Sequence, residues 1–115
     1  MPMSVISNDT AEHYIWGDGC DGWHLVMSEC LSVIHERMPP GRAETMHYHQ
    51  HAEQFFFVLS GIATMEIAGK AFTIHPHHGI HVTAGLPHRI SNRHHADLVF
   101  TVTSTPPSHD DRIEL

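Results

Sequence analysis

Short apolar stretches separated by turn residues run the length of the chain, and no stretch of ten or more residues repeats with the 3.6-residue period of a helix. This pattern predicts strands over 14–16, 23–26, 31–38, 44–48, 54–59, 62–67, 71–74, 80–83, 89–91 and 98–103, and therefore an all-β sandwich or barrel. Ala68-Gly69-Lys70 falls between two of these runs and reads as a hairpin turn, because glycine takes a positive φ without steric penalty. Pro39-Pro40-Gly41 ends the third run, since proline has no N–H to give to a ladder. Phe55-Phe56-Phe57 reads as core on both faces of one strand, with Phe56 alone reaching a pocket wall. Trp16 and Trp23 read as packing residues rather than a ligand mouth or a dimer seal. Residues 9–13 read as one helical turn, and 105–115 as a segment that either crosses the surface or frays.

Composition fits a folded chain, with 41% hydrophobic and 17% charged residues. Its 115 residues suit one domain over 1–115, with 1–12 and 105–115 as terminal arms. The longest apolar run, Phe55 to Leu59, is far short of the ~20 residues a membrane span needs. The first residues show neither a basic start nor a long apolar segment, so no signal peptide is visible. Six basic residues against 13 acidic ones give a net charge of −7. Nucleic acid and anionic membrane surfaces are bound through Lys and Arg, so this balance argues against both as partners. Cys20 and Cys30 form neither a close pair nor a four-ligand set, and they read as ordinary thiols of a reduced, cytoplasmic protein.

Histidine is the anomaly, at 14 copies. A count assigns nothing by itself. His94, His95 and His109 read as solvated, His51 as a loop residue, and His75, His77, His78 and His81 as a polar turn. The informative segment runs from Gly41 to Gly61 and holds His47-Tyr48-His49. Alternate residues of a strand share a face, so His47 and His49 point one way and Tyr48 the other. Two imidazoles on one face begin a metal site, and a third ligand comes from a neighbouring strand. Gln54 opens the next run in register with Phe56 and Val58, and His88, after the turn at Gly85, supplies a fourth donor. The competing reading is three structural histidines in a barrel without metal.

These two segments resemble the motifs of the cupin superfamily. The first family motif is G-x5-H-x-H-x3-4-E-x6-G; Gly41, His47, His49, Gln54 and Gly61 match its spacing, with Gln54 in place of the acid. In the second, G-x5-P-x-G-x2-H-x3-N, the residues Gly85, His88 and Asn92 match, while Thr83 stands where proline is expected and His77 where the first glycine is. The resemblance implies a double-stranded β-helix, close to a jelly roll, with a metal in the barrel mouth. It implies His47, His49, Gln54 and His88 as ligands of one divalent transition ion, and N and O donors do not choose among Zn, Ni, Fe, Mn and Cu. Glu53 competes with Gln54. Counting back from Gly61 favours Gln54, because a shift of one residue flips a strand side chain; a bulge at Ala52–Glu53 reverses that.

In the same pattern Ile34, Glu36 and Met38 face the metal, which makes Glu36 a candidate general base; the alternative pairs it with Arg89 or Arg42, or turns it to water. Asn92 reads as a residue that bonds turn backbone. The expected activity is Lewis-acid proton transfer on a small carbonyl, enol or hydroxyl compound by a lyase, isomerase or cyclase. A metal-dependent dioxygenase of quercetinase or diketone-cleaving type, and a non-catalytic small-ligand binder or sensor, are the alternatives. Similar small cupins also imply a homodimer.

Overall fold

Alternating burial sorts the strands into two facing walls. The computed structural model describes residues 4–108 and 110–115, so Met1–Met3 and the expectation for His109 lie outside the described residues. The strands are β1 (Glu12–Trp16), β2 (Cys20–Met27), β3 (Ser32–Met38), β4 (His47–His49), β5 (Glu53–Ser60), β6 (Ala63–Ile67), β7 (Lys70–Ile74), β8 (Gly79–Val82), β9 (His88–Ser91), β10 (Leu98–Thr105) and β11 (Arg112–Glu114). One sheet has the order β1-β2-β3-β10-β5-β8 and the other β11-β4-β9-β6-β7. The fold is all-β, as the resemblance implies. Met38, Val58, Met65, Ile90, Leu98 and Phe100 are fully buried between the walls. Along β5 the parity is strict: Gln54, Phe56 and Val58 are buried, whereas Glu53 and Phe55 are exposed.

Turns are set by backbone conformation. Ala68 and Gly69 both have positive φ, at 49° and 83°, and close the expected two-residue hairpin between β6 and β7. At Gly61 φ is 78° and a Cβ would come within 2.4 Å of the Asp97 carbonyl, so the turn after β5 has no room for a side chain. His77, which stands at a glycine position of the second motif, adopts φ 66°, the conformation that favours glycine.

Four expectations need correction, the first being that Phe55 belongs to the core: it is exposed on the outer face of β5. The turn near the N-terminus spans 7–11, closed by Ala11 N–H to Ser7 O at 2.8 Å, and Glu12 and His13 already belong to β1. The fourth strand is His47–His49, not 44–48. Glu44 lies outside it because its carboxylate accepts the Ile90 N–H at 3.0 Å, in place of a backbone carbonyl. Residues 112–114 form β11, which pairs antiparallel with β4 through Arg112↔His49, Ile113↔Tyr48 and Glu114↔His47. Cys20 is buried, Cys30 exposed, and both are free.

Candidate metal centre

Two strands bring the imidazoles together. His47 and His49 are alternate residues of β4, and His47 pairs directly with His88 at the start of β9. All three rings are buried, and each offers a nitrogen within 4.8 Å of the other two. Among the described residues these three form a group able to hold a metal ion, whereas His75, His77, His78 and His81 do not join one.

The tautomers follow from the hydrogen bonds. His47 Nδ1 lies 2.7 Å from Thr45 O, and His88 Nδ1 lies 2.9 Å from Leu86 O, so each ring's proton belongs on Nδ1 and its Nε2 keeps a lone pair. Burial holds all three imidazoles below their ordinary pKa, His47 at about 3. The rings are therefore neutral at physiological pH.

Gln54 completes the group. Its Nε2 donates to Ser104 Oγ at 3.0 Å and its Oε1 lies 3.0 Å from His88 Nε2. A neutral imidazole has one N–H. With its proton given to Leu86 O, His88 presents its Nε2 lone pair to the Gln54 side chain at 3.0 Å. His49 Nδ1 is buried with no hydrogen-bond partner. Three buried imidazoles with nitrogens within 4.8 Å of one another, one of them with an unpartnered ring nitrogen, and an amide beside them fit a cation, and the donor set passes that test. Glu53 is on the outer face of β5, exposed, with its carboxylate 2.7 Å from His81.

A cavity of about 190 Å³ opens beside the histidines. Trp16, Ile34, Phe56 and Val102 give it apolar walls, and Tyr14, Glu36, Glu44 and Arg112 its polar groups. Glu36 is on the cavity side of β3, as parity requires. The expected alternative partners are engaged elsewhere: Arg89 bonds Glu66, and Arg42 lies 3.1 Å from Asp18. Glu36 instead accepts from Tyr14 Oη at 3.4 Å. Burial, with the charge of Glu44 in support, pushes the Glu36 carboxyl up to about 8 against the opposing Tyr14 bond. Burial likewise lifts Glu44 to about 7, against the Ile90 N–H and Arg112. Desolvation and Glu36 together drive the Tyr14 phenol well above its usual range.

Tyr14, Glu44, Arg112 and Ser108 were not singled out by the sequence. Gly22 falls outside the expected strand 23–26 but inside β2, and a bare strand position marks a close approach, so it is the signal that could have found Tyr14. Arg112 carried none, as its strand pairs across more than sixty residues. Asn92 behaves as expected and donates to Met38 O and Ala96 O. Trp16 packs on the core and lines the cavity, whereas Trp23 lies against His13 and His35.

A family model for the cupin domain matches residues 34–104, more than half of the chain. Among curated proteins, the tetracenomycin polyketide synthase protein TcmJ of Streptomyces glaucescens is 28% identical over 75 residues, covering 64% of this chain and 50% of TcmJ. The chain thus matches only half the length of that relative. Among solved structures, the polyketide cyclase RemF from Streptomyces resistomycificus superimposes with a TM-score of 0.85 at 14% identity, over 99% of this chain and 86% of RemF. KdgF from Halomonas sp. gives 0.85 at 16% identity, over 95% and 98%. At such identities the structural likeness is one of fold.

Proposed function

The chain belongs to the cupin family, and from that premise we propose that it is a metal-dependent enzyme moving a proton on a small carbonyl, enol or hydroxyl compound, as a lyase, isomerase or cyclase. The observation that carries this reading is the buried group of His47, His49 and His88, whose ring nitrogens lie within 4.8 Å of one another, with the Gln54 side chain 3.0 Å from His88. His47, His49, His88 and Gln54 are the residues that would hold a divalent Zn, Ni, Fe, Mn or Cu ion. Such an ion supplies Lewis acidity toward a substrate oxygen when bound. All four donors are neutral, so the donor set leaves the charge of the ion uncompensated.

The remaining chemistry belongs to the chain. Glu36 faces the cavity and takes or returns a proton at the substrate carbon or hydroxyl. The Tyr14 hydroxyl donates to Glu36, which orients the carboxyl and stabilises its ionised form. Glu44 is anchored by the Ile90 N–H and by Arg112, whose Nη1 is 3.9 Å away. Trp16, Phe56 and Val102 keep water from the reacting atoms. TcmJ and RemF, both named for polyketide chemistry, support the cyclase branch. The exposed Phe55 and Leu59 on the outer face of β5 favour a homodimer, and two unbridged thiols suit the cytoplasm.

The test is hydrogen–deuterium exchange at the α-carbon of a slowly exchanging ketone, 1-tetralone, followed by NMR alongside elemental analysis of the purified protein. A bound transition metal and exchange above buffer are expected, with Glu36→Gln and His49→Ala each lowering the rate about 100-fold or more. A protein that takes up no metal at any loading overturns the reading. Oxygen uptake with a flavonol or diketone assigns the site to a dioxygenase instead.

A further inference from the structure

A second cavity, of about 350 Å³, adjoins the first and is lined by Tyr14, His24, Met27, Ser32, Ile34 and Ser108. Three of these residues, Tyr14, Ile34 and Ser108, also line the cavity beside the histidines, so the two spaces share a boundary. The smaller one is too tight for more than the reacting end of a molecule; together they fall within the size range of ordinary ligand sites, ~300–1,000 Å³.

The second space is made by an irregularity. β2 pairs with β3 through His24↔Ile34 and Met27↔Ser32, with a register shift between His24 and Val26. Without that bulge His24 and Met27, three residues apart, would fall on opposite faces of the strand. The extra residue, Leu25, puts both against one cavity. Its surfaces are aromatic and polarisable: the Tyr14 and His24 rings stack with centroids 4.8 Å apart and planes inclined at 29°, and Met27 adds a thioether.

We infer that this cavity is a second compartment of the substrate site, which takes a flat aromatic or enolised ring against the walls made by Tyr14, His24 and Met27. The inference extends the proposed function and rests on it only for placing the reacting oxygen at the histidines. The substrate is then a two-part molecule: an oxygenated reacting end beside His47, His49 and His88, and a planar ring beyond Tyr14 between Met27 and Ile34.

The two parts are tested with separate probes, 1-naphthol for the ring and acetohydroxamate for the chelating oxygens, titrated into metal-free and zinc-loaded protein. In the unmodified protein, 1-naphthol is expected to shift the NMR methyl signals of Met27 and Ile34 in both forms. Met27→Trp, which fills the compartment from its exposed rim, and His24→Leu are each expected to weaken 1-naphthol about fivefold or more, the scale of one lost ring contact. Acetohydroxamate binding stays unchanged in both variants. If 1-naphthol leaves those methyl signals unmoved up to millimolar concentration, or binds both variants as well as the unmodified protein, the compartment is refuted. Failure of acetohydroxamate to bind more tightly with zinc refutes the metal reading and leaves the ring compartment standing.

Discussion

A Cβ on Gly22 would lie 2.3 Å from the ring of Tyr14. Tyr14 pairs with Gly22 across β1 and β2, and Gly22 pairs with Glu36 across β2 and β3, so the phenol reaches Glu36 over a strand position with no side chain. Gly22→Ala is expected to lift the ring away and destabilise the fold by about 1–3 kcal/mol, the usual range for overpacking. Freed from desolvation and from Glu36, Tyr14 then ionises nearer the ordinary phenol range. Ultraviolet titration of the tyrosines checks this, and an unchanged profile would show that the ring has not moved.

The pH dependence of the metal-free protein follows from Glu36. Its carboxyl is raised from 4.5 to about 8 on folding, so the folded state holds a proton that the unfolded chain has released. Stability from this group is complete below pH 4.5 and disappears as pH rises to about 8. Glu36→Gln removes the share that Glu36 contributes and leaves that of Glu44, which burial also raises. The metal-free variant is expected to melt above the unmodified protein at pH 8, with the gap closing toward pH 4.5; parallel melting curves at all pH values would contradict it.

The proposed ligand set makes separable claims. His49→Ala is expected to abolish metal retention while the β-sheet circular dichroism is kept. Gln54→Glu places a carboxylate beside His88 and is expected to tighten metal binding by about tenfold or more, as an anion replaces a neutral donor. Glu53→Gln, on the exposed face, leaves affinity unchanged. Equilibrium dialysis with zinc measures all three, and a loss of affinity in Glu53→Gln would return the role to Glu53.

Much of this was legible in the residues, for a physical reason. Strand parity is local, so His47 and His49 on one face, and Gln54 rather than Glu53 facing inward, could be read from spacing. The convergence with His88 needed the motif resemblance, because pairing of β4 with β9 is not local. Glu36 was legible by parity once the inner face of β3 was fixed. Tyr14 and Arg112 were not, since each is delivered by a strand edge whose partner no local pattern names. The boundaries near Glu44 were misread because a side chain there takes over a backbone role. The bulge in β2 likewise gave no local signal, and with it the second cavity stayed hidden.

Asp111 is expected to matter for metal without touching it. Burial favours its neutral form, but the N–H groups of Ala52, His51 and Gln50 bond its carboxylate and hold its pKa below the ordinary range. It therefore supports the folded state above pH 3.8 and ceases to as pH falls below that. Asp111→Ala frees the loop between β4 and β5 and is expected to weaken zinc binding by about tenfold, the low end for groups that orient a ligand. Unchanged affinity by dialysis would confine Asp111 to the loop.

Association is expected through the outer face of the six-stranded sheet, where Phe55 is 43% exposed and stacks on Phe57. Sedimentation velocity is expected to give about twice the 13.0 kDa chain mass, and Phe55→Asp to give the single-chain value. A single-chain mass for the unmodified protein would rule the pairing out.

The pairing of β11 with β4 also makes the alignment of the first two imidazoles a tertiary property. β4 is joined to Arg112–Glu114 along one edge, and its His47 meets His88 along the other, so no local turn can preset their orientation. Loss of either distant strand would leave two rings on one face of β4 with nothing to hold that face against His88.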